Sequence, residues 1–176
     1  MTPSLTEPQI TALLRAWLLT IMPSGVDIVI AQNNRVPEPK ADNYIVITPL
    51  SRRQLGTNVI LWDESTGGNP TTQDNTVSTS IVMQLDLHGA NATDNAQVFL
   101  TLFRSDYAWD YLKGSGLFPD YCTDGAQMPF INGENQYETR WVFNAVFDAN
   151  ITVTMGQQFA NAANVGLIEV DTVYPP

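Results

Sequence analysis

A two-layer α+β domain is the fold that this 176-residue sequence predicts. Three stretches carry that expectation: an amphipathic stripe near the N-terminus, a strand running into a helix between Thr76 and Lys113, and an alternating run from Trp141 to Met155. The length suits one domain spanning residues 1–176 with a real core. A hydrophobic share of 44% excludes a wholly disordered chain. No apolar run approaches the ~18 residues of a membrane span, so no membrane partner is expected.

The first helix follows from Thr6-Glu7-Pro8-Gln9, which has capping-box spacing. Ile10, Leu13, Leu14, Trp17, Leu18 and Ile21 then form one stripe that must be buried, and Pro23-Ser24-Gly25 ends it. Val26, Ile28 and Ile30 read as a short strand, followed by an extended loop through Pro37 and Pro39. Tyr44 to Thr48 reads as a strand covered on both faces, interrupted at Pro49 by an edge or bulge. Ser51 to Trp62 is a second strand-like segment. Asp63 to Asn75, DESTGGNPTTQDN, reads as a loop in every residue.

In the central unit, Ile81, Met83, Leu85 and Leu87 alternate with Val82, Gln84, Asp86 and His88. Gly89 breaks the strand, and Asn91 or Asp94, the latter at capping-box spacing from Gln97, is placed to cap one helix reaching toward Lys113. Val98, Phe99, Leu102, Phe103, Trp109 and Leu112 give that helix a wide apolar side. Gly114 to Met128 reads as irregular and acidic, and Pro129 to Gly133 as a strand end and turn. From Trp141 onward the odd positions are apolar and the even ones mostly polar, which predicts an unusually long strand. Gln157 to Asn164 suits a short helix, and Gly166 to Val173 a last strand.

Chemistry-bearing residues are sparse. His88 and Cys122 are each unique, yet neither sits in a motif that supports a Cys–His dyad, and structural roles are expected for both. Asp86 and His88 share a strand face without a nameable third or fourth ligand, so no metal site is expected. Asp120 with Asp124 and Glu134 with Glu138 fit a solvated acidic face better than a glycosidase pair. No phosphate loop, dinucleotide fingerprint or nucleophile elbow occurs. The expectation is a protein without enzymatic activity and without cofactors.

Charge is more informative. The formal net charge of −10 opposes a chain built to grip nucleic acid. Four of the eight basic residues, Arg35, Lys40, Arg52 and Arg53, fall early, whereas Asp106, Asp110, Asp120, Asp124, Glu134 and Glu138 crowd the later middle. On opposite flanks, these groups would let one copy's basic side meet the next copy's acidic side, a head-to-tail contact that closes into a ring. Scattered surface charge is the plainer alternative. A single cysteine and an N-terminus without a basic region predict a protein made in a reducing cytoplasm.

The ordered blocks RAWLLTIMPSGVDI, QNNRVPEPKADNYIVITPL, QLDLHGANATDNAQVFLTLFRSDYAWD, PFINGENQYETRW and GLIEVDTVYPP resemble the neck or tail terminator proteins of tailed bacteriophages. The resemblance implies a mostly antiparallel twisted sheet with two main helices packed on it. It also implies a hexameric ring that caps the tail tube, ends its polymerisation and joins tail to head. The partners it implies are further copies of the chain, the tail tube protein, a head-completion or connector protein and the tail sheath, with DNA passing through unbound. Its place is the virion tail or neck, assembled in the bacterial host cytoplasm. On this view Arg35, Lys40, Arg52, Arg53, Asp106 and Asp110 make subunit or neighbour contacts. The segment holding Asp63, Glu64 and Asp74 becomes ordered on assembly. Another neck component, such as a connector or tube-associated ring, is the nearest alternative. A monomeric acidic binding module or hydrolase is the further one.

Overall fold

The computed structural model describes residues 1–31, 39–63, 72–128, 130–131, 136–156 and 166. In chain order its elements are α1 (Glu7–Ile21), β1 (Asp27–Ile30), β2 (Tyr44–Gln54), β3 (Val59–Asp63), β4 (Thr72–His88), α2 (Ala92–Phe103), α3 (Asp106–Leu112), β5 (Leu117–Cys122), β6 (Ala126–Gln127), β7 (Phe130–Ile131), β8 (Tyr137–Glu138) and β9 (Arg140–Gly156). The α+β expectation holds, with a sheet antiparallel in all but one pairing. Its main path is β1-β2-β4-β9-β5, with β3 beside β4 and β6 beside β9. The pairing of β1 with β2 is parallel.

The spine of the sheet is the β4–β9 pair. Both strands have 17 residues and pair throughout, from Thr72 opposite Gly156 to His88 opposite Arg140. The odd residues of both strands face the helices. Ile81, Met83, Leu85, Leu87, Phe143, Ala145 and Phe147 are all buried there. From α1 come Ile10, Leu14, Trp17 and Leu18, so the sequence stripe does face the core. Gln9 Oε1 accepts from both the backbone N–H and the hydroxyl of Thr6 at 2.8 Å, which fixes the helix start. Phe99 is the hub of an aromatic cluster, 5.1 Å from Trp17, 5.2 Å from Phe103 and 5.0 Å from Phe143 between ring centroids.

Four expectations are corrected. Asp63 and Asp74 are not loop residues. Asp63 ends β3 opposite Thr72, and Asp74 lies within β4 between Leu61 and Thr154. Polar composition hid this strand, which is held by neighbours far along the chain, as in the 2.8 Å Thr76–Thr152 hydroxyl bond. The helix after Gly89 is two helices, because Ser105 donates its hydroxyl to Leu102 O at 2.7 Å and caps Tyr107 N–H at 3.3 Å. The break changes the helical phase, leaving Trp109 45% exposed while Leu112 is buried. Asp94 and Gln97 form no capping box: the N-cap is Asn91, and Gln97 reaches Thr101 instead. Finally, Gly114 to Met128 holds β5 and β6, both registered on β9.

The bulge expected at Pro49 is present between Pro49 and Ser51. Beyond it β2 is exposed through Gln54. The strand end expected after Pro129 is β7, which pairs antiparallel with β8, Phe130 opposite Glu138 and Ile131 opposite Tyr137, while the turn expected through Gly133 lies outside the described residues. The helix and strand expected within 157–173, together with Arg35, Glu64 and Glu134, lie outside the described residues, apart from Gly166.

Candidate interaction surfaces

The residues that could carry chemistry are separated by the sheet. Cys122 pairs with Ala145 on the buried face, whereas His88 pairs with Arg140 five residues along β9 on the other face. At about 3.4 Å per residue these positions are roughly 17 Å apart along the strand. Burial pushes the Cys122 thiol up, against the influence of Arg104, whose Nη2 donates to Cys122 O at 2.6 Å. No nucleophile–base pair results from these two residues.

His88 belongs to a polar network at the end of the sheet. Its ring stacks on Tyr44 at 4.4 Å, and its Nδ1 lies 3.3 Å from Glu138 Oε1. Burial lowers the imidazole pKa, with Glu138 pulling the other way. Asp86, buried two pairs further along, receives Arg140 Nη2 at 2.6 Å and Nε at 3.1 Å, and Gln84 Nε2 at 3.0 Å. Both guanidinium donors converge on Oδ1, and Gln84 donates to Oδ2, so each carboxylate oxygen has a partner. The ion pair ties β4 to the start of β9, just after β8.

The charged flanks are the larger feature. Arg52 and Arg53 are consecutive on the exposed end of β2, opposite Ile81 and Ser80, and leave it on opposite faces, Arg52 toward Glu7 of α1 and Arg53 toward Asp148 of β9. Arg52 Nη2 is 3.9 Å from Glu7 Oε2, a pair exposed enough to leave the guanidinium available to a partner. Lys40 is not with them. Its backbone N–H donates to Asp27 Oδ2 at the other end of β2, near Tyr44, so the early cations do not form one patch.

Asp106 and Asp110 are exposed on α3, and Asp120 is exposed on β5. Asp124 follows β5 and pairs with Arg104 at 3.5 Å. Between β2 and β5 stand β4 and β9, three strand spacings or about 14 Å. The Arg52–Arg53 flank and the Asp106–Asp110–Asp120 flank therefore lie on opposite sides of the sheet. Between them, on β9, burial and Asp120 raise the Asp148 carboxyl above its usual range, with Arg53 opposing.

Sequence reasoning missed that both flanks are also apolar. Tyr107, Trp109, Tyr111 and Tyr121 are exposed around the acids, with Trp109 against Phe118 at 5.3 Å. Beside the arginines, Leu50, Leu55, Val59, Ile60 and Leu61 are exposed. The signal was present in Val59-Ile60-Leu61-Trp62, an unalternated apolar run of the kind found where both strand faces are covered. The hollow at the Pro49 bulge holds about 190 Å³, and two more open depressions, one along Leu5, Ala12, Leu13 and Ala16 and one along Val98, Thr101 and Leu102, hold about 450 and 480 Å³.

The sheet thus carries a basic flank with exposed aliphatic residues and an acidic flank with exposed aromatic ones. Residues 9–173 match the phage neck terminator proteins, and the chain belongs to that family. It is a structural family of the phage neck, so the resemblance read from the sequence is the correct one. No curated protein matches the chain.

Proposed function

We propose that this protein forms a hexameric ring that caps the tail tube, ends tube polymerisation and joins the tail to the head. The observation that carries the ring is the placement of Arg52–Arg53 and Asp106–Asp110 on opposite sides of one sheet. Opposed, unlike surfaces generate heterologous contacts, and such contacts close into a ring when the rotation permits. The partners are further copies of the chain, the tube protein on one ring face and a head-completion or connector protein on the other, with the sheath outside in a contractile tail. DNA passes through the ring, and the net charge of −10 supports passage without capture. The chain acts in the virion neck as a non-catalytic component, assembled in the host cytoplasm.

Light scattering on the purified protein, with electron microscopy of the same peak, tests this. Six chain masses and a ring with a central hole are expected, together with termination of growing tail tubes. Arg52→Glu with Arg53→Glu should lower the assembled fraction. A monomer that neither binds nor caps tubes would overturn the proposal.

A further inference from the structure

We infer that strand β3, through Val59, Ile60 and Leu61, is the docking edge for a second copy of this chain, which presents its α3–β5 flank. This inference rests on the ring proposed above and names the surface that builds it.

The edges of the sheet are not alike. An exposed strand edge is a template for unwanted pairing, and soluble proteins blunt it with charge, proline, bulges or covering groups. β1 is covered: Arg15 of α1 donates its Nε to Ile28 O at 3.2 Å, and Asp27 is held by the N–H groups of Lys40 and Ala41. β5 is blunted by Pro119, by the bulge between Pro119 and Tyr121, and by Asp120. Among the described residues, β3 has none of these devices from Val59 to Leu61. Its register against β4 is regular, and it carries no charge, proline or bulge there. Val59, Ile60 and Leu61 are exposed by 57%, 49% and 60%, on both faces of the strand. Such an edge is kept apolar where something covers it.

Charge complementarity selects the occupant. Next to β3, across the short connection from Gln54, stand Arg52 and Arg53. The chain itself carries a matching surface on its far side, where Trp109 and Tyr121, exposed by 45% and 53%, sit among Asp106, Asp110 and Asp120. Aromatic anchors flanked by acids fit an apolar strand flanked by arginines, and aromatic residues are enriched in such interfaces. Within one chain β4 and β9 keep the two surfaces apart, so only another copy can bring them together.

Complementary defects test this. One variant carries Ile60→Asp with Leu61→Asp, and the other carries Trp109→Ala with Tyr121→Ala. Each is compared with the unchanged protein by light scattering and thermal melting. All four positions are exposed, so unchanged melting temperatures are expected. Val59→Lys alone serves as the strand variant if the double one unfolds. Each variant alone should fall to the single-chain mass. A one-to-one mixture should give dimers and nothing larger, because it retains one intact contact per pair. A strand variant that assembles like the unchanged protein would overturn the inference while leaving the ring intact. Unchanged protein that stays monomeric yet caps tail tubes would overturn it too, and would assign β3 to the tube protein. Unchanged protein that neither assembles nor caps tubes defeats the ring itself.

Discussion

Gly89 is the hinge of the central strand–helix unit, and replacing it with alanine should cost far more than an ordinary turn substitution. Its φ is +100°, and an added Cβ would lie 2.1 Å from Asp42 O and 2.6 Å from Asn43 Oδ1. The backbone strain alone is about 1–3 kcal/mol for a residue with a side chain. Relieving the overlap means moving the 42–43 backbone. Asn43 Oδ1 accepts Asn91 N–H at 2.9 Å, Asn43 O accepts Asp27 N–H at 3.2 Å, and Gly89 N donates to Thr139 O at 3.1 Å. Losing one or two of these adds roughly 1 kcal/mol each. Gly89→Ala should therefore cost about 2–5 kcal/mol. Gly25 supplies the control, with φ +92° and nothing within 4 Å of an added Cβ. Gly25→Ala should cost only the strain, ~1–2 kcal/mol. Urea denaturation of both variants, with unchanged slopes, measures the difference. Equal midpoints would refute the idea that close approach to Asp42 fixes this turn.

Other perturbations separate the core, the ion pairs and the titrating groups. Phe99→Ala empties the aromatic hub and should cost about 3–5 kcal/mol by chemical denaturation. Asp86→Ala leaves the Arg140 guanidinium without its buried carboxylate and should cost ~3 kcal/mol, whereas Glu7→Ala, which removes an exposed partner of Arg52, should cost under about 1 kcal/mol. Because the folded protein holds the Asp148 proton more tightly than the unfolded chain, whose group titrates near 3.8, this group's contribution to stability is greatest below that pH. The contribution is lost as pH rises through the folded value, so Asp148→Asn should raise the melting temperature at neutral pH and leave it little changed in acid.

The parts of the fold legible in the sequence are those set by local periodicity. Trp17 and its neighbours on α1, and the alternation from Trp141 to Met155, announce their buried sides without reference to the rest of the chain. The parts that were hidden are set by pairing. Thr72 to Ser78 reads as loop because its residues are polar, yet β3 and β9 flank it and supply its ladder. Its side chains bond across the sheet, as Ser78 Oγ does to Asn150 Oδ1 at 2.7 Å. β5 contains Pro119 and looks irregular until β9 fixes its register. The charged surfaces were legible as residues but not as places. Strand order, which sequence does not encode locally, puts Arg52 and Asp110 on opposite sides and sends Lys40 to the other end of β2.

In the proposed ring, strand order also decides what would hold copies together. Two arginines facing three aspartates at the surface form screened pairs, each worth at most about 1 kcal/mol. The Debye length at physiological salt is about 8 Å, so such charges guide approach more than they bind. The apolar contribution is larger. Val59, Ile60 and Leu61 are roughly half exposed, and burying what remains returns ~1 kcal/mol for each. Trp109 and Tyr121 add anchors of the kind that dominate interface energies. Assembly should therefore respond differently to salt and to truncation. Raising sodium chloride from 0.05 to 0.5 M, as an order-of-magnitude test of screening, should slow association about tenfold or more while leaving the final mass unchanged. Truncating Ile60 and Leu61 to alanine should instead speed dissociation with little change in the association rate. Stopped-flow light scattering separates the two rates. If salt dissolves the assembly and the alanine variant does not, the charges hold it together and the apolar strand is incidental.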